Sequence, residues 1–571
     1  MCKLLPAVAL VVLAVPSAAW AQPDAQKPAE PPALPSANPE VVPSATPAGV
    51  PEQPAAPDTN VPVAQAAGPT PEDHARIDNS PAAHDGHPLA GFHGGIFFLR
   101  DHHDNFNLYV GGRLQLDFYS YMGAGVPETP LKPTLFIRRL RPEISGEILG
   151  HWRFMLAGDF GTTAIDNPRG TNQTLASAPG TVPTGTSARF AAADSPRVSA
   201  AITDGFINYR QGSLFNVQIG QYDAPFMLEN RTSDKYIPFM ERSLAVRAVG
   251  IPTNKEIGAM FWGETKDKFV FYSFGPFMGD GQNRTNVDSR FDVMGRAFVH
   301  PLANAEMEKG NPLKDLQVGG SFRYGSRDKS WVDYDYSGMS TQGAYTFWSP
   351  TYGGANGNTH VIPSGDQMAF AGELRVPVSR FDLTGELVYI KNNTREAIEG
   401  FQATNSERFG EMKGISYYAQ LGYWATGKRD INGAQGYENP GKLDWSKEDP
   451  VEPARALQLL VKWEQIMLSY ASASRGGAPD TRNIDGDIKV NAVSLGMNYW
   501  ATKHVRLTLN YVYNMFPDSA PFRATAPGAP QQTSANRAMA PGNTIGTGIN
   551  DRGRDNAQDL HEILARFAIA L

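Results

Sequence analysis

The chain has 571 residues, of which 41% are hydrophobic and 19% charged, and a formal net charge of −7. Its hydrophobic content excludes a bundle of transmembrane helices, each of which needs roughly 20 consecutive apolar residues, and 51 Lys plus Arg against 58 Asp plus Glu give no basic footprint for nucleic acid. A transmembrane barrel stays open, because its strands alternate apolar and polar side chains and look soluble on average.

Residues 1–21, MCKLLPAVALVVLAVPSAAWA, read as a secretory signal peptide. Lys3 supplies the positive end, a short apolar core follows, and Ala19-Trp20-Ala21 is a small-residue cleavage site. Cys2, the one cysteine, lies inside it, so the mature chain has no disulfide, no Cys-ligated metal and no cysteine nucleophile. Between Gln22 and Pro88 there are sixteen prolines and no aromatic residue. Such a segment forms no core and samples extended polyproline conformations, reaching on the order of 200 Å at about 3.1 Å per residue. Residues 22–105 are therefore assigned to a largely disordered periplasmic tether, either a spacer that meets the cell wall or a leader without a target. His74, His84, His87, His93, His102 and His103 fall within this stretch, but their spacing matches no closed tetrahedral zinc pattern and no metal is assigned.

From residue 106 to 571 apolar residues recur at every second position, the signature of strands with one oily and one polar face. In the first run Leu108, Val110, Leu114, Leu116 and Phe118 oppose Tyr109, Arg113, Gln115, Asp117 and Tyr119. In the next, Leu140, Pro142, Ile144, Gly146 and Ile148 oppose Arg139, Arg141, Glu143, Ser145 and Glu147. The spacing predicts strands at about 107–121, 134–149, 151–161, 198–210, 214–223, 255–264, 268–278, 290–301, 315–325, 367–377, 380–391, 413–426, 454–470, 488–501, 503–514 and 559–571. A soluble sandwich alternates as well. Against it stand short links alternating with long ones, aromatic residues near the strand ends, and a strand that ends the chain at Leu571. The fold class is an all-β, antiparallel transmembrane β-barrel of about sixteen strands. The segments 302–314 and 427–453 are long for turns, which leaves eighteen strands as an alternative.

A barrel of this size leaves an aqueous lumen unless something plugs it. The runs GGRLQLDFYSY, FIRRLRPEISGEILGHWRFMLAGDFG, ITDGFINYRQGSLFNVQIGQYDAPFMLENRTSDKYIPFMERSLA and SLGMNYWATKHVRLTLNYVYN resemble the phosphate-selective porin O and P family of Gram-negative outer membranes. The resemblance covers most of 105–571. It implies a homotrimer of sixteen-stranded barrels in outer-membrane lipid, with a long third loop, here Ala224 to Asn254, folded into the pore. It also implies small anions such as phosphate or polyphosphate as permeant solutes, passed along inward arginines and lysines. Carried onto this sequence, these are Arg113, Arg139, Arg141 and Arg153 on the first three strands, with Arg231, Lys235, Arg242 and Arg247 in the loop. Guanidinium groups suit oxyanions because they stay charged and donate in a fixed fork.

The same inward faces carry Asp117, Glu143, Glu147, Asp159, Asp204, Glu373, Asp382, Glu386 and Glu562. The arginines are thus either an anion ladder or wall partners of carboxylates. No nucleophile elbow, zinc helix or phosphate-cradling loop stands in a supporting context, so neither enzyme activity nor a cofactor is assigned. The alternatives to an anion channel are a general or weakly cation-selective porin and a barrel-anchored tether to the cell wall.

Overall fold

The computed structural model describes residues 85–123, 133–162, 201–302, 313–428, 454–517 and 559–571, short stretches within these ranges excepted, with Leu131, Leu443 and Trp445. The signal peptide and the Pro-rich run to residue 84 lie outside the described residues.

The sixteen barrel strands are β1 (Phe106–Met122), β2 (Thr134–Ile148), β3 (Trp152–Asp159), β4 (Ala201–Arg210), β5 (Asn216–Asp223), β6 (Lys255–Glu264), β7 (Val270–Phe277) and β8 (Asp292–Val299) in the first half. The second half holds β9 (Gln317–Arg327), β10 (Gly357–Val378), β11 (Phe381–Ile398), β12 (Arg408–Thr426), β13 (Ala456–Ser474), β14 (Ile484–Trp500), β15 (Val505–Met515) and β16 (Asp559–Ala570). Each pairs antiparallel with the next. Strand β16 then returns to β1, with Ala570 opposite Arg113 and His561 opposite Met122. Leu571 N donates to the Gly112 carbonyl at 2.9 Å and locks the seam. Closure leaves no open edge in the sixteen-strand ring among the described residues, which a lipid-facing sheet requires because hydrocarbon cannot satisfy free N–H and C=O groups.

The period-two faces sort as the sequence predicts. On β11, Phe381, Leu383, Leu387 and Tyr389 are exposed on the outside, while Asp382, Thr384 and Glu386 are buried on the inside. Exposed Phe106, Trp152, Phe215, Phe269, Phe381, Tyr423, Tyr499 and Phe567 sit at strand ends on the side of the short turns and form an aromatic belt there.

Sixteen strands, not eighteen, close the ring. Strands β8 and β9 pair directly, as do β12 and β13, so the long connections on the turn side add length without adding a wall strand among the described residues. Strand β10 begins ten residues earlier than its predicted start at 367, at Gly357. The register shifts between Pro363 and Gln367, and this bulge breaks the alternation that sequence reading relies on.

Composition assigned residues 85–105 to the tether, but they are folded. Ala90–His93 and Ile96–Arg100 form a hairpin whose second strand pairs with β1, Leu99 opposite Leu108. Buried Arg100 holds it by donating to Asp85, Asp104 and the Pro88 carbonyl. Trp445, from the β12–β13 connection, stacks on His87 at 4.2 Å between ring centroids and meets Phe98 edge-on at 5.4 Å. The apolar run Ile96-Phe97-Phe98-Leu99 packs this hairpin onto the start of β1.

Candidate functional site

The connection between β5 and β6, residues 224–254, turns into the lumen, and nearly all its described residues are buried. Wall carboxylates hold its backbone. Glu386 on β11 accepts from Leu228 N at 2.5 Å and Glu229 N at 3.0 Å. Glu464 on β13 accepts from Leu244 N at 2.6 Å, at the start of the short helix α1 (Leu244–Val249). Donors from the next strands take its carbonyls: Asn498 Nδ2 to Pro238 O at 2.8 Å, Arg506 to Ile237 O at 3.1 Å and Arg566 to Met240 O at 2.5 Å. Hydrogen bonds to a charged partner contribute about 1.5–3 kcal/mol each, so the loop is pinned to one side of the barrel.

A second inward segment was not foreseen. Residues 334–348, from the β9–β10 connection, stack on α1. Gly343 N donates to Glu562 at 3.0 Å, Thr341 Oγ1 also donates to Glu562, and Gln342 Nε2 donates to Glu464 and Ser494, both at 2.9 Å. Glu464 therefore seats both segments.

The other face of the 224–254 loop looks across a cavity toward β1–β6. Six cationic side chains line it, Arg113, Arg138, Arg139, Arg141, Arg242 and Lys255, against three carboxylates, Asp159, Asp223 and Asp234. Arg113 reaches Glu143 and Asp234. Arg139 meets Asp234 at 2.8 Å and donates to Gln115 at 2.7 Å. Arg141 meets Asp159 at 2.7 Å and Asp234 at 3.3 Å, while its buried Nε has no hydrogen-bond partner among the described residues. Arg242 donates to the carbonyls of Glu229 and Thr232 at 3.1 and 2.8 Å, which leaves its charge without an acidic partner in those contacts.

The remaining predicted residues lie near this cavity or away from it. Lys235 bonds Glu143 at 2.6 Å and the Leu571 carbonyl at 3.1 Å; burial lowers its ammonium pKa and Glu143 opposes that. Arg231 donates to the Asp223 carbonyl and braces the loop's entry. Arg247, on α1, donates to the Thr341 carbonyl at 2.5 Å and joins the two inward segments. Arg153 pairs with Glu147 at 3.0 Å on the wall and does not line the cavity. Arg153 is thus paired on the wall, whereas Arg113, Arg139 and Arg141 are both paired and cavity-lining.

Arg138 escaped sequence reading. Strict alternation points it at lipid, but the register slips between Gln115 and Leu116, with Arg139 opposite the first and Ile137 opposite the second. Arg138 is the extra residue of this bulge, and the added twist turns it inward to bond Glu241 at 2.9 Å. Burial pushes the Glu241 carboxyl up, but Arg138, Arg139 and Arg566 outweigh it and hold the group well below the usual carboxylate range.

A family model described as phosphate-selective porin O and P matches residues 108–530. Porin O of Pseudomonas aeruginosa is 22% identical over 426 residues, covering 71% of this chain and 82% of that protein. Among solved structures, the trimer form of the outer membrane protein OmpT of Vibrio cholerae superimposes with a TM-score of 0.40 at 9% identity, over 82% of this chain and all of that one. The outer membrane channel DcaP of Acinetobacter baumannii gives 0.39 at 10% identity, over 84% of this chain and 100% of that one. An anion-selective porin from Comamonas acidovorans gives 0.38 at 10%, over 82% and 100%.

Proposed function

The chain belongs to the phosphate-selective porin O and P family and is an outer-membrane β-barrel channel, and from that premise we propose that it passes small anions, with phosphate as the first candidate and polyphosphate as an extended one. The observation that carries this reading is that six cations and three carboxylates line the cavity beside the inward loop, with Glu143, Glu241 and Asp204 pairing to those cations outside the lining. Paired arginines still contribute, because a guanidinium with one edge on a carboxylate keeps other N–H groups for a passing oxyanion. Arg242, which donates to backbone carbonyls rather than to a carboxylate, is the best placed for this.

Purified protein in a planar bilayer under a tenfold salt gradient is expected to show an anion-selective reversal potential and a chloride current that added phosphate reduces. A cation-selective potential overturns the anion reading. An anion-selective potential without phosphate inhibition retains anions and removes phosphate.

The reading extends to the assembly and the N-terminus. Three copies would form the working unit, and the run 22–84 would lie in the periplasm, on the turn side where the hairpin at 90–100 enters, and tether the barrel to the cell wall. Deleting 22–84 is then expected to leave single-channel conductance unchanged and to abolish co-sedimentation with purified cell wall. Retained co-sedimentation overturns the tether.

A further inference from the structure

The β7–β8 connection carries a residue that lines two cavities. The first is the cationic one described above. The second lies among the connections on the opposite side from the short turns and is lined by Arg284, Arg323, Arg327, Tyr334, Tyr336 and Asn392, among others. Gln282 lines both.

Its position is built rather than incidental. Glu256 on β6 accepts from both Gly279 N and Gly281 N at 3.1 Å. The two glycines have φ of 84° and 92°, a left-handed conformation that side chains disfavour. A Cβ on Gly279 would also lie 2.6 Å from atoms of Arg327 and Asp292. Beyond the tip, Asn283 N donates to Gln221 Oε1 at 2.7 Å, and Gln221 Nε2 returns a bond to Asn283 Oδ1 at 3.2 Å. Gln282 Nε2 itself donates to the Ile202 carbonyl at 2.6 Å. The tip is held from β4, β5 and β6, strands that wall the inner cavity.

Resting on the channel reading above, we infer that a permeating anion crosses from the outer cavity to the inner one past Gln282, and that this amide sets the width and part of the selectivity of the neck. A neutral group with both donor and acceptor atoms suits that place. It neither traps an oxyanion as a cation would nor repels one as a carboxylate would.

Cys2 is the only cysteine, so in a Cys2→Ser background Gln282→Cys provides a single thiol in the full chain. Methanethiosulfonate reagents of similar size, one adding a sulfonatoethyl group and one a trimethylammonium-ethyl group, are applied to single channels after mass spectrometry confirms labelling. Both are expected to lower conductance at least threefold. Only the sulfonate is expected to move the reversal potential toward cations. The same labels at Ser289→Cys, exposed further along the same connection, are expected to change neither.

If conductance and reversal potential stay unchanged with both labels on Gln282→Cys, the neck is overturned. Gln282→Glu gives a label-free check, with weaker phosphate inhibition expected and unchanged inhibition counting against the inference. If the unlabelled channel prefers cations, the anion reading fails, while a size-dependent block at Gln282 still supports the neck.

Discussion

A channel in which Arg138, Arg139 and Arg141 are together replaced by Gln is expected to lose its anion preference. The substitutions take the cavity from six cations against three carboxylates to three against three. A unit charge about 8 Å from the permeant ion contributes about 2 kcal/mol at an effective dielectric constant near 20, and salt screening roughly halves this. Anions and cations feel that change with opposite sign, so three charges shift the permeability ratio at least tenfold. Reversal potentials in a salt gradient measure it. An unchanged ratio would mean that these arginines serve only as wall partners of Asp159, Asp234 and Glu241. Arg153→Gln is the matched comparison: it removes an inward arginine outside the cavity and is expected to leave selectivity unchanged.

The largest expected loss of stability is at Arg566. This side chain is fully buried, bonds both Asp117 oxygens at 2.7 Å and Glu241 at 3.0 Å, and donates to the Met240 carbonyl. It ties strand β16 to strand β1 and both to the inward loop. Arg566→Ala strands the Asp117 carboxylate in a buried site, and breaking such a pair costs about 3–5 kcal/mol. Urea titration of the barrel refolded in lipid vesicles should show the loss, together with a lower temperature for its heat-induced shift in electrophoresis. The double variant Asp117→Leu with Arg566→Met removes both charges and leaves Glu241 paired with Arg138 and Arg139. It is expected to recover most of the stability. If the single and double variants lose the same amount, the cost comes from lost packing rather than from the stranded carboxylate.

The wall was legible because one face of each strand meets lipid and the other meets polar groups, so the period-two code is written at nearly every position. Strand limits followed to within a few residues for most strands, but β11 runs seven residues past its predicted end at 391 and β12 starts five before its predicted 413. At β10, Pro363 hid ten residues of strand; at Arg138, a slipped register hid a cavity residue. The inward loop came from resemblance; of its lysine and arginines, Arg242 lines the cavity, while Arg231, Lys235 and Arg247 bond the Asp223 carbonyl, Glu143 and the Thr341 carbonyl.

What depends on a strand across the lumen was not legible. Nothing near Thr341 or Gly343 in the chain announces that Glu562 will lie opposite them. Glu386 and Glu464 likewise read as ordinary polar-face acids until the loop's backbone N–H groups are seen against them. Gln282 carries no sequence signal at all, because its role comes from the cavities on either side of it.

The seats of the inward loop also set an order of assembly. The loop follows the fifth strand, yet its partners Glu386, Glu464, Asn498, Arg506 and Arg566 come from the eleventh strand onward, and Lys235 bonds a carbonyl 336 positions later, at Leu571. Contacts so distant in sequence are the slowest to form. The loop's last seats, Arg566 and the Leu571 carbonyl, therefore form only when the final strand closes on the first, and a chain stalled short of that closure holds its loop by the earlier strands alone.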